Sequence, residues 1–247
     1  MLSLLPLFGY LFLGSVAGLS GGLLLIWKEK LIKGFSIHLI SFAAGVILAT
    51  AFLDLLPEAV KKGGEGTFLL ILIGLVIFFL VEDLLLHFHH HEEHQHRLSS
   101  VVPLLVTSDT IHNFIDGVAI TASFLANPSL GLVVSLATFF HEIPQEIGDF
   151  AVLLSSGVSK KKVVIYNLLS ALATFVGAFL TLALAKSTNN LIGPLLGLTT
   201  GMFLYISSAD ILPELVRGER KNLRWHTAGF FLAGITLVVF LTKFLPG

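Results

Sequence analysis

With 55% of its 247 residues hydrophobic and 13% charged, this chain cannot coat a water-soluble surface; soluble domains carry roughly 25% charged residues. A mean hydropathy of +0.90 makes lipid the main solvent, and at about 20 apolar residues per crossing the length holds about eight spans and no separate soluble domain. Cysteine is absent, which excludes disulfides and thiolate ligands. The net charge of −1 decides nothing until its placement is considered.

The apolar stretches run 4–27, 36–60, 67–88, 101–126, 129–157, 161–185, 191–216 and 224–245, with short connections. The first is long and lacks a basic leader, so it is expected to be a span and not a cleaved signal. Span two ends in "DLLPE", which holds Asp54 and Glu58. After span three comes "HFHHHEEHQHR", a loop of about 87–97 with His87, His89, His90, His91, His94 and His96. A histidine-rich tract binds metal. Without fixed tetrahedral spacing its affinity is modest, so it reads as a dispensable metal collector or sensor, or else as a solvated loop. Span four contains "SDTIHNFIDGVAI" and span five "HEIPQEIGDF". Span seven ends in "DILPE", with Asp210 and Glu214.

Lysine and arginine set orientation, because cytoplasmic loops collect them. Eleven lie on one side: Lys28, Lys30, Lys33, Arg97, Lys160, Lys161, Lys162, Arg217, Arg220, Lys221 and Arg224. Four lie on the other: Lys61, Lys62, Lys186 and Lys243. The first side is expected to be cytoplasmic, which puts both termini outside. The pentapeptides ending spans two and seven are five spans apart, an odd number, so they run in opposite senses. Spans 1–3 and 6–8 then form inverted repeats around a central pair, four and five. Transporters use this layout, with the site near mid-membrane.

The central pair carries the chemistry. At about 100° per residue, Asp109, His112, Asn113 and Asp116 share one narrow face of span four. On span five, His141, Glu142, Gln145, Glu146 and Asp149 share a slightly wider one. Both histidines lie 11 to 12 residues from a span end, near the bilayer centre at ~1.5 Å per residue. A charge there costs at least about 2.5–3.5 kcal/mol, and two facing stripes with a bound cation offset that cost. A polar seam gluing the helices is the plainer reading. It explains serine or asparagine better than a histidine with an acid or amide at i+4 on each of two adjacent spans. Imidazole, carboxylate and amide oxygen without sulfur suit Zn²⁺, Fe²⁺, Mn²⁺ or Co²⁺ and argue against Cu⁺. Pro144 removes an N–H and frees the Phe140 carbonyl, which is tolerated beside a cavity.

These residues resemble the ZIP (Zrt/Irt-like) divalent metal transporters, nearest their LIV-1-like branch. "HNFIDG" and "HEIPQEIGDF" look like the family's paired signatures, and span number, orientation and histidine loop agree. The resemblance implies a transport site of His112, Asn113, Asp116, His141, Glu142 and Gln145. Two departures stand out. "SALATFVGA" puts Thr174 and Phe175 where some relatives have a Glu-Pro pair, which argues against a two-metal centre. Gln145 replaces a more basic or acidic ligand found in many relatives.

The expected protein is thus an all-α integral membrane protein with eight transmembrane helices, a single transporter domain over 1–247. It would take up divalent metal, zinc foremost, by alternating access into the cytoplasm across a plasma membrane. Asp54 and Glu58 would guide ions in; Asp109, Glu146, Asp149, Asp210 and Glu214 would line the route or the release. Uptake should weaken at acidic pH, since ligands bind deprotonated. No P-loop offers direct ATP drive. The rival reading is an intramembrane zinc-dependent hydrolase, from the likeness of "HEIPQ" to H-E-x-x-H; Gln145 replaces the second histidine that motif needs. A third is a metal sensor without flux. Partners are the metal ions and the bilayer, with no nucleic acid and a homodimer left open; neither an enzymatic activity nor a resident cofactor is expected.

Overall fold

The computed structural model describes residues 3–90, 97–187, 191–211 and 224–244, and among these all regular structure is helical. In chain order come α1 (Leu5–Leu13), α2 (Ser20–Thr50), a π-helical segment (Ala51–Leu55), α3 (Leu56–Gly63), α4 (Thr67–His90), α5 (Arg97–Ala126) and α6 (Pro128–Ser155). Then follow α7 (Lys160–Ala171), α8 (Ala173–Ser187), α9 (Ile192–Tyr205), a second π-helical segment (Ile206–Ile211) and α10 (Arg224–Phe244). Phe35–Gly63, Lys160–Lys186 and Trp225–Phe244 are long and apolar enough to cross a membrane, and Thr67–Val81 and Ile192–Ser208 are shorter apolar helices. Large apolar side chains such as Leu5, Trp27, Leu69, Phe179 and Phe244 point outward. A single-sided core would not leave so many exposed, whereas a lipid-facing surface does.

The structure departs from the eight expected stretches in three places. First, 4–27 is not one helix. After Leu13 the chain makes a run of tight turns through Gly14–Leu19, with Gly18 N–H donating to Ser15 O at 2.8 Å and Ser20 N–H to Ala17 O at 3.1 Å. The cause is tertiary: a Cβ on Gly14 would meet Ile120 and Thr138, and one on Gly18 would come within 2.6 Å of the Glu142 Cβ. Second, the connection expected at 28–35 is helical. α2 passes through with a single kink at Lys28 (φ −135°, ψ 45°), and residues 28–33 contain no Gly or Pro to stop it. Third, 161–185 divides into α7 and α8 at one tight turn, where Phe175 N–H donates to Leu172 O at 3.1 Å.

Each π-helical segment contains the aspartate of one copy of the repeated pentapeptide, Asp54 or Asp210. Pro57 accounts for the first: its ring would clash with the carbonyl four residues back, and a widened turn relieves that. Pro213 stands at the same place in the second copy.

Three helix pairs pack by one device. On α2 and α10, a Cβ at Gly45 would strike the Phe231 carbonyl, and one at Gly234 the Phe42 carbonyl. Gly74 on α4 and Gly201 on α9 stand in the same relation to Leu198 and Ile71, and Gly117 on α5 and Gly177 on α8 to Thr174 and Phe114. Each helix thus offers the other a missing side chain, the small-residue contact of lipid-embedded helices. α6, enclosed by α1, α2, α5 and α7, occupies the middle.

Candidate metal site

α5 and α6 form a tight antiparallel hairpin. Only Asn127 separates them, and it caps α6 by accepting the Ser129 N–H at 2.8 Å, with Pro128 following at the helix start. That placement suits proline, whose missing N–H costs nothing there. The short link fixes the register and brings the two polar stripes face to face.

Four side chains meet between the helices. His141 Nε2 lies 3.2 Å from His112 Nε2 and 3.2 Å from Asp116 Oδ2. His112 Nε2 lies 3.7 Å from Asp116 Oδ2 and 3.7 Å from Glu142 Oε1. Donor atoms of all four lie within 4.8 Å of one another, the one such group of three or more among the described residues. Asp116, His141 and Glu142 are buried. Both oxygens of Asp116 and of Glu142 lack any hydrogen-bond partner. A buried carboxylate left unpaired is costly, and two of them beside two imidazoles make a donor set able to hold a metal ion.

The two amides expected as ligands are occupied differently. Asn113 Nδ2 donates to Asp109 Oδ1 at 2.9 Å and to the Asp109 carbonyl at 3.2 Å, while its Oδ1 accepts from the Thr174 hydroxyl at 3.1 Å. Gln145 Nε2 points to Asp109 Oδ1 at 3.4 Å. Both amides therefore bind Asp109, one turn along α5 from the histidine. Thr174, noted in the sequence only as a departure, reaches Asn113 because Gly117 lets the α8 backbone come close.

Several neighbours had no signal in the sequence. Phe78 of α4 stacks edge-on against His112 at 5.8 Å between centroids, and Phe203 of α9 against His141 at 6.3 Å. Phenylalanine in such a chain reads as lipid contact; here two of them wall the imidazoles. The close approach of Gly18 to Glu142 is a third contact without a signal in the sequence.

Of the outlying residues, Asp54 accepts from the Thr242 hydroxyl at 3.0 Å. Glu58 pairs with Lys61 at 3.1 Å and Lys62 at 3.6 Å, so it is a partnered helix-end acid. Asp109 and Glu146 are buried and Asp149 is half-buried. Only the backbone of Asp210 is described, within its π-helical segment, and Glu214 lies outside the described residues. α4 carries the chain to His90, so His87, His89 and His90 belong to a helix end and not to the loop expected there; His91, His94 and His96 lie outside the described residues.

A family model described as ZIP zinc transporter matches residues 3–103 and 89–242. The chain is 41% identical over 135 residues to zinc transporter ZIP10 of Danio rerio, a match covering 55% of this chain and 16% of that protein. It is 40% identical over 149 residues to zinc transporter ZIP4 of Mus musculus (58% and 22%) and 37% over 128 residues to zinc transporter ZIP6 of Homo sapiens (52% and 17%). The matched stretches thus span under a quarter of these relatives' own length.

Proposed function

Because this chain belongs to the ZIP zinc transporter family, we propose that it carries divalent transition-metal cations, zinc foremost, across a membrane into the cytoplasm. The observation that carries this reading is the buried convergence of His112, Asp116, His141 and Glu142 within 4.8 Å. Two imidazole nitrogens and two carboxylates suit a borderline dication in a four-coordinate shell. Their two negative charges balance its charge, and their orphaned oxygens replace its water.

Asn113 and Gln145 serve the same site in this reading, as ligands in some step or through Asp109. The cation passes Asp54 on its way in and Asp109, Glu146 and Asp149 on its way out, with Asp210 and Glu214 at the release end. The chain acts as one transporter domain over 1–247, in the plasma membrane with both termini outside. Eight spans with inverted repeats 1–3 and 6–8 supply alternating access. Support comes from the π-helical segments at both copies of the pentapeptide and the matching glycine contacts of α2 with α10 and α4 with α9. The histidine tract collects metal and is dispensable. A hydrolase has no support: Gln145 stands where the H-E-x-x-H helix needs its second histidine, and its amide points to Asp109.

Metal flux into liposomes holding the purified chain tests this. Saturable zinc uptake, lost in His141→Ala although that variant is still inserted, is the expected result. Hydrolysis of peptide or lipid without flux, or simply an absence of flux in the native chain, refutes transport.

A further inference from the structure

Asn113 follows His112 on the polar face of α5, yet both ends of its amide are taken by protein atoms. Its nitrogen donates to Asp109 Oδ1 at 2.9 Å and to the Asp109 carbonyl at 3.2 Å. A carboxylate and a carbonyl only accept, so turning the amide round would set oxygen against oxygen. The Asn113 oxygen is thereby fixed on the other side, where the Thr174 hydroxyl donates to it at 3.1 Å. Asn113 and Thr174 are fully buried, which shields that bond from bulk water. Thr174 reaches so far because a glycine stands opposite it: a Cβ on Gly117 would strike the Thr174 carbonyl.

We propose that Thr174 is a specificity-determining residue of the transport site. Through Asn113 it holds an amide oxygen out of the coordination shell, which keeps that shell at the four donors of His112, Asp116, His141 and Glu142. The inference rests on the transport reading above and states which cation that site prefers. Zinc is satisfied by four ligands in a tetrahedron. Manganese takes about six, mostly oxygen, in an octahedron. A fifth donor that is an oxygen therefore helps manganese more than zinc, and withholding it favours zinc. Thr174 is a positioning residue here, and its hydroxyl is the part that matters. Valine keeps its shape without the donor, while serine keeps the donor without the methyl.

Cobalt(II) reports the coordination number, because a tetrahedral cobalt site absorbs visible light far more strongly than a five- or six-coordinate one. It also belongs to the cations that imidazole and carboxylate donors suit. Co²⁺ is titrated into the full chain in detergent, and Mn²⁺ competes with zinc for uptake into liposomes. The native chain should show the intense tetrahedral absorption, which His141→Ala abolishes. Thr174→Val should weaken that absorption and raise the manganese-to-zinc preference by about fivefold, the worth of one hydrogen bond. Thr174→Ser should restore both. Adding Asn113→Ala to Thr174→Val should also bring the intense absorption back, since the oxygen that entered is gone. If Thr174→Val does not fold, Thr174→Ala lacks the same hydroxyl and is read in its place. A weak absorption from cobalt bound to the native chain overturns the proposal and leaves transport standing. So does a hydroxyl-free variant that matches the native chain in both measurements, or one that Asn113→Ala does not correct. Cobalt binding identical in the native chain and His141→Ala removes the transport-site reading itself, and this proposal with it.

Discussion

The α2–α10 pair and the α5–α6 pair solve opposite problems with the same helix geometry. α2 and α10 are held by contact. Gly45 and Gly234 let their backbones touch, Phe35, His38 and Phe230 stack at one end, and Thr242 holds Asp54 at the other. Most of that seam is apolar, and of the residues just named only His38 keeps a buried atom, Nδ1, without a partner. α5 and α6 enclose Asp116, Glu142 and Glu146, all buried with unpartnered oxygens. One seam is finished by protein atoms. The other is left for something brought from outside, so disturbing the first should cost stability and disturbing the second should cost ion handling.

The sharpest way to break this comparison is Asp116→Ala. Removing a partner outside the ligand shell of a metal typically costs about 10–100-fold, so removing a buried carboxylate from the convergent group should cut zinc uptake by more than about 100-fold. The purified variant should melt no lower than the native chain, because the loss also removes an unsatisfied charge. A variant that transports normally would show that the polar seam is structural after all.

Gly234→Leu is the opposite probe. It drives a side chain into the Phe42 carbonyl and should destabilise the fold by about 1–3 kcal/mol, the usual range for overpacking. Its thermal midpoint in detergent should drop while the metal count of the folded fraction holds. A lowered count at unchanged stability would mean that the α2–α10 seam is coupled to the site.

These two seams also mark what could be read in advance. The α5 and α6 stripes were legible because a polar face in an apolar helix repeats at 3.6 residues, and His112, Asp116, His141 and Glu142 do converge. The hydrogen-bond partners of the amides were not legible. Asn113 sits on the right face, yet its oxygen is held by Thr174, a residue 61 positions away that only the Gly117 contact brings near. The break at Gly14–Leu19 was invisible for the same reason: apolar composition gives a span, while the turn arises from packing against α6. The kink at Lys28 and the π turns before Pro57 and Pro213 are backbone adjustments that hydropathy does not report.

Gly18→Ala lies between the seams. A methyl group there would sit 2.6 Å from the Glu142 Cβ, so Glu142 or the turn must yield by a few tenths of an ångström or more. A displaced ligand worth about 1.4 kcal/mol is a tenfold change in affinity. The half-saturating zinc concentration should therefore rise by about tenfold while maximal flux changes little. A fall in the thermal midpoint alone would make Gly18 a packing residue.

Thr174→Val should have the smallest effect at the site. It keeps the shape that α8 presents to Gly117 but removes the hydroxyl donating to Asn113 Oδ1. A neutral hydrogen bond contributes about 1 kcal/mol net, equivalent to roughly a fivefold change in a binding constant. The freed amide oxygen can then turn from α8 toward the cation. Two effects oppose each other: looser positioning of Asp109 weakens the seam, and one more oxygen ligand strengthens it. Asn113 binds Asp109 through its nitrogen, which the substitution leaves intact, so the ligand gain should prevail. The expected result is zinc affinity unchanged or raised by up to about fivefold, and Thr174→Ser should restore the native value. A large loss of affinity that serine does not repair would mean that Thr174 acts through helix packing and not through Asn113.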